Sequence, residues 1–115
     1  MVSGEWRESV RFLELPKLEE EQRSSGKAYL EFLRLPEMSA GLYVLPAGGS
    51  DPQKPHKEAE VYCVMRGRGH MKAGEEDRVV GEGSIIFVAP GIEHRFYGIE
   101  EELAVLVLFA PAESG

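Results

Sequence analysis

Gly48-Gly49-Ser50-Asp51-Pro52-Gln53-Lys54-Pro55-His56-Lys57-Glu58-Ala59-Glu60-Val61-Tyr62-Cys63-Val64-Met65-Arg66-Gly67 is a proline-rich loop that runs into an apolar strand. Side chains alternate faces along a strand, so residues an even number apart point the same way. His56 and Glu60 therefore face one interior together, and with one more nitrogen ligand they could hold a divalent metal. His94, at the end of the next glycine-rich segment, is the natural third ligand.

Working outward, short apolar runs punctuated by Gly and Pro dominate the chain. Ala28–Leu35 and Ala40–Leu45 read as strands separated by Pro36-Glu37-Met38-Ser39. Glu60–Met65, a Gly67/Gly69 turn, His70–Ala73, a Gly74–Asp77 turn and Arg78–Val80 follow. Ser84–Val88, a rim turn over Ala89–Glu93, His94–Tyr97 and Leu103–Phe109 complete the set. No long helical periodicity is evident, which indicates an all-β sandwich or barrel. Pro46, Pro52 and Pro55 with Gly48 and Gly49 exclude regular helix or central strand there. That stretch is expected to cross the rim and place His56.

The first 23 residues are less regular. Ser9–Leu15 reads as a short strand ended by Pro16, and Leu18–Arg23 as a charged turn or a single helical turn. Trp6 and Phe12 predict that this arm packs on the domain body or on a partner subunit. Neither a linker nor an internal repeat is visible, so 115 residues are expected to form one domain.

Composition removes several classes. Thirteen basic against twenty acidic residues give a net charge of −7. This argues against nucleic acid, whose phosphates need a basic face, and against an anionic membrane surface. The single cysteine, Cys63, excludes an internal disulfide and a thiolate zinc site, and reads as a small packed hydrophobe. The N-terminus shows no basic-then-apolar signal pattern, and the longest apolar run, Leu103–Ala110, is too short to span a bilayer. The expectation is a cytoplasmic, soluble protein.

At this point the residues resemble the cupins, antiparallel jelly-roll barrels (double-stranded β-helices) with an internal metal site. The first cupin motif, G-x5-H-x-H-x3-E-x6-G, falls on Gly48, Lys54 in place of the first His, His56, Glu60 and Gly67. The second, G-x5-P-x-G-x2-H-x3-N, falls on Gly83, Ala89 in place of Pro, Gly91, His94 and Gly98 in place of Asn. Seven of the ten positions match with no internal gap. The resemblance covers residues 26–110, leaving 1–25 as an N-terminal arm and 111–115 as a C-terminal tail. Gly67 is expected to allow a tight reversal after the strand that carries Glu60. Gly91 is expected at positive φ in a rim turn that delivers His94, with Pro90 doing the work of the missing motif proline.

The resemblance implies one divalent metal (Fe, Mn, Ni, Co or Zn) held by His56, Glu60 and His94. Lys54 cannot ligate a cation, and Gln53 is an alternative oxygen ligand if the loop bulges. Glu58 shares the strand phase of Glu60 as a supporting carboxylate. The family's range implies dioxygenase, isomerase, decarboxylase or lyase chemistry on a small organic molecule, with Lys54 or Tyr62 moving protons; fold does not choose among these. The alternative is a non-catalytic cupin that binds or senses a small ligand or the metal. Tyr43, Tyr62, Met65, Phe87, Phe96 and Tyr97 either line the pocket or simply pack in the core. His70 reads as a surface histidine, and Arg66 and Arg68 as exposed turn charges. Small cupins pair, so a homodimer is expected.

Overall fold

The computed structural model describes residues 10–52 and 55–114. Among these, one helix, α1 (Leu15–Ser25), precedes six strands: β1 (Tyr29–Leu35), β2 (Met38–Leu45), β3 (Ala59–Ala73), β4 (Glu76–Gly81), β5 (Ile85–Val88) and β6 (His94–Ala110). All pairings are antiparallel, in the order β1-β2-β6-β3-β4, with β5 also on β3. The sheet rolls into a jelly-roll barrel around Tyr62, Val64, Phe96, Leu103, Val105 and Val107. Among the described residues no helix is long and apolar enough to cross a membrane.

Residues 10–14 form no strand, and the charged turn or single helical turn expected over Leu18–Arg23 is part of an 11-residue helix. Pro16 does not end a strand; it sits in the first turn of α1, where its missing N–H and fixed φ cost nothing. Gly26, at φ 70°, ends the helix. Leu18 and Gln22 bury against the barrel, and Gln22 Nε2 donates to the Lys27 carbonyl at 2.7 Å. Arg66 is not a turn charge: its guanidinium bridges Glu19 on α1 and Glu102 on β6, so it pins the helix to the sheet. Trp6 lies outside the described residues, and Phe12 is exposed.

The second difference is strand length. Two expected pairs of short strands are single strands of 15 and 17 residues, β3 and β6. Gly67 does not reverse the chain; at φ 98° it sits inside β3, where the β3–β6 register slips repeatedly between Val64 and His70. Such bulges bend a strand and change which side chains face inward. Glu60, Tyr62 and Val64 point inward before Gly67, and Gly69 and Met71 after it. In β6, His94 and Phe96 point inward before Gly98 (φ 54°), and Ile99, Leu103 and Val105 after it. A two-residue period broken in mid-strand looks in sequence like two strands with a turn.

Gly67 is also a close approach. A Cβ there would overlap the Glu102 carbonyl of β6, whereas one at Gly83 (φ 89°) would meet nothing. Gly83→Ala should therefore cost only conformational strain, roughly 1–2 kcal/mol. Gly67→Ala adds an overlap with backbone and should cost more than about 3 kcal/mol. Urea unfolding of the two variants checks the ordering.

Candidate metal centre

The site is assembled from a loop, the start of a barrel strand and a rim turn. Residues 46–58 contain no strand among those described, and hydrogen bonds tie them down instead. Gly48 N–H donates to the Ile99 carbonyl at 2.9 Å. Asp51, buried, accepts from the Tyr43 hydroxyl at 2.6 Å and from Phe96 N–H at 2.9 Å. Sequence reasoning missed Asp51, since one Asp beside a proline carries no distinguishing signal. At the other end of the loop, the His56 carbonyl accepts from Gly91 N–H at 2.8 Å. Gly91 has the positive φ expected of it, 80°. The turn that carries His94 is thus bonded to the residue that must meet it.

Glu60 comes from the inward face of β3, opposite Phe109 of β6 on one side and Val88 of β5 on the other. His94 opens β6. The structure brings His56, Glu60 and His94 together, with one potential ligand atom from each inside a 4.8 Å cluster. His94 Nε2 lies 2.9 Å from Glu60 Oε1, and His56 Nε2 lies 4.0 Å from the same oxygen. Glu60 and His94 are almost fully buried, while the His56 side chain keeps 18 % of its exposure at the mouth.

The proton arrangement makes this cluster electrostatically incomplete. His94 Nδ1 sits 2.8 Å from the Ile92 carbonyl, which fixes the proton on that nitrogen. In the neutral ring Nε2 is then a bare lone pair aimed toward a carboxylate oxygen. Despite the 2.9 Å approach, neither Glu60 oxygen nor His94 Nε2 has an aligned hydrogen-bond partner among the described residues. Buried carboxylates without donors are costly. A proton placed between Glu60 and His94, or a cation, relieves the opposition. Burial works against the charged ring, but Glu60, the Ile92 carbonyl and Asp51 outweigh it and raise the His94 pKa above its ordinary 6.5. The donor set of two imidazoles and one carboxylate fits a divalent metal, which would satisfy the same three atoms together.

Beside the cluster lies a cavity of about 220 Å³, lined by Tyr29, Tyr43, His56, Tyr62, Val107, Phe109 and Glu113. The Tyr62 ring stands 5.8 Å from His94, and Phe109 meets His56 edge-on at 5.1 Å. Glu113 comes from the segment after β6, which hydrogen bonds fasten to the barrel. Its N–H donates to Ser39 Oγ at 2.9 Å, Arg34 binds its carbonyl, and Ser114 Oγ donates to Glu58 at 2.6 Å. Its carboxylate stops 3.9 Å from His56 Nδ1. Nothing in its sequence spacing marks Glu113 as part of a site.

Other expectations fall differently. Lys54 and Gln53 lie outside the described residues. Glu58 is buried but turned to Ser114, away from the three-residue cluster. Phe96 packs edge-on against Tyr62 in the core. Phe87 faces outward on β5, and Tyr97 stacks on His70 outside the barrel. Phe96 and Tyr97 are adjacent on one strand and cannot both point inward. His70 leans on the Gly98 carbonyl, remote from the cluster. Cys63 and Met65, out of phase with Glu60, are partly exposed.

Comparison with known proteins agrees with this architecture. Residues 41–110 match the family model of the cupin domain. An uncharacterized protein of Streptomyces coelicolor is 46 % identical over 105 residues, covering 91 % of this chain and all of its own length. The solved structure of TT1209 from Thermus thermophilus superposes with a TM-score of 0.71 at 23 % identity, covering 90 % of this chain and 99 % of that one. The DMSP lyase DddQ from Ruegeria pomeroyi superposes with a TM-score of 0.64 at 21 % identity; the match takes in 72 % of this chain but only 47 % of the lyase. With both its motifs and its barrel accounted for, the chain belongs to the cupin family.

Proposed function

We propose that this cupin binds one divalent metal through His56, Glu60 and His94 and uses it to act on a small organic molecule held in the adjoining cavity. The observation that carries the reading is Glu60: a buried carboxyl group with no aligned hydrogen-bond partner among the described residues, faced by a histidine whose proton is committed elsewhere. A metal in such a site supplies Lewis acidity or O₂ activation, and Fe, Mn, Ni, Co or Zn suit the donors. The chain's own groups do the rest. Ile92 holds the His94 tautomer, Gly91 tethers His56 through its carbonyl, and Tyr62 and Phe109 keep the cluster dry. Orientation of ligating imidazoles by such partners is what tunes a metal site.

The reaction class we propose is dioxygenase, isomerase or lyase; a lyase occurs on a similar barrel, which supports the architecture as a host for that chemistry. Tyr62, which lines the cavity beside His94, and Lys54 are the proposed proton carriers, and Gln53 an accessory oxygen ligand. The second reading, a non-catalytic ligand or metal sensor, is favoured by Lys54 standing where the motif has its first histidine. O₂ consumption and product analysis with Fe(II)-loaded protein over a small-molecule panel separate the two.

We also propose a homodimer that pairs through β4 and β5. Ile85 and Phe87 are 72 % and 66 % exposed there, with Val79 and Ile92 nearby, an apolar patch of the kind that marks an interface. The acidic balance and the cavity's size suit a small-molecule partner, and neither nucleic acid nor an anionic membrane.

Metal analysis of untagged protein should find close to one equivalent of a divalent ion, or regain it on adding Fe, Mn, Ni or Zn. His94→Ala should abolish uptake and His70→Ala should not; equal losses would show that the wrong histidine was chosen. Because the His94 pKa is raised, protons compete for the ligating nitrogen at higher pH than for an ordinary histidine. Metal affinity should therefore rise between about pH 6 and pH 8, measured by titration with a chelator-buffered ion. The metal-free protein should behave oppositely. A raised folded pKa gives stability that is present at low pH and lost as pH rises through it, so the thermal stabilisation conferred by metal should widen with pH. Light scattering should report a dimer that Phe87→Glu dissociates.

A further inference from the structure

Tyr29, on β1, forms the cavity wall contributed by the outermost strand, and its hydroxyl is buried with no hydrogen-bond partner among the described residues. Its neighbour Tyr43, directly opposite on β2, differs: that hydroxyl is committed to Asp51. The Tyr29 ring is also closely seated. It lies over Gly41, where any Cβ would overlap ring and hydroxyl, and it meets Tyr43 edge-on at 6.2 Å. Glycine at this position, at ordinary backbone angles, makes room for the ring rather than a turn. A fixed ring with an unmatched buried O–H is an arrangement that a ligand atom can complete.

We propose that Tyr29 is the hydrogen-bond donor that orients the cavity's ligand, and that the ligand is a compact molecule with an apolar body and a neutral oxygen acceptor, such as a ketone. Three features define that class. The wall formed by Tyr62, Val107 and Phe109 is apolar. A volume of about 220 Å³ is below the roughly 300–1,000 Å³ of sites for drug-sized ligands, so the molecule is small. Burial first, then the carboxylates of Glu31, Glu113 and Glu60, hold the phenol far above its ordinary 10.0; it stays protonated and donates rather than acting as a base. The proposal deepens the reading above and rests on it for what the ligand's other end meets.

Cyclopentanone and cyclopentane, alike in shape and differing in the acceptor, serve as probes by NMR titration. Each is run on zinc-loaded and on chelator-treated protein. Tyr29→Phe keeps the ring and removes only the O–H. It should weaken cyclopentanone about 5- to 10-fold, the worth of one neutral hydrogen bond, and leave cyclopentane within about twofold. Gly41→Ala, which pushes the ring off its seat, should weaken both. The proposal is overturned if Tyr29→Phe leaves the ketone unaffected, if it weakens both probes alike, or if neither probe binds the unaltered protein. Failure of zinc uptake with the Tyr29 effect intact would sink the metal reading and leave this one standing.

Discussion

A carboxylate sealed from water must be answered by donors or by positive charge, and much of this barrel is arranged around one whose oxygens have no aligned hydrogen-bond partner among the described residues. Glu60 is 1 % exposed, at the start of β3 between β5 and β6. Desolvating an anion is expensive enough that the surroundings must be specific. They are: His94 arrives at 2.9 Å with its outer nitrogen held by Ile92, and His56 arrives on a backbone bonded to the same rim turn. Removing either tether would leave Glu60 facing one less controlled partner.

The long strands explain how three such distant residues share one interior. β3 and β6 pair over most of their lengths, and their bulges let one strand contribute to two differently oriented halves of the barrel. Each strand carries one cluster residue, Glu60 or His94, and both halves of each fill the core, with Tyr62, Val64 and Met71 on β3 and Phe96, Leu103 and Val105 on β6. The bonds of Asp51, Gly48 and Gly91 hold the intervening loop onto that frame in place of ladder hydrogen bonds.

The barrel is legible in the sequence because its signals are local. The motif spacing picks out His56, Glu60 and His94, the strand period turns Glu60 and His94 inward, and Gly91 announces its turn; His56 is held by its loop bond to Gly91 rather than by strand alternation. What escapes the sequence depends on neighbours distant in the chain. Gly67 reads as a reversal unless one knows that Glu102 lies against it. The helix is masked by a proline and an acidic run, both compatible with a helix start or with a turn. Arg66 gains its role from Glu19, Glu113 from Arg34 and Ser39, and Tyr29 from a glycine twelve residues on. Phe87 and Tyr97 fail as pocket candidates for a simpler reason: strand alternation puts them outside once the registers of β5 and β6 are known.

The phase change at Gly67 also divides the chain into places where its length is negotiable and places where it is not. An insertion of one residue between Glu60 and Gly67 would exchange inside for outside across that half-strand, turning Tyr62 and Val64 to solvent and Val61 and Cys63 to the core. The same insertion among the prolines before His56 would fall in a segment whose described residues form no ladder. Drift in chain length should thus collect at residues 46–55, the very segment that decides how His56 is presented. The presentation of His56 is free to vary there without unpicking the wall.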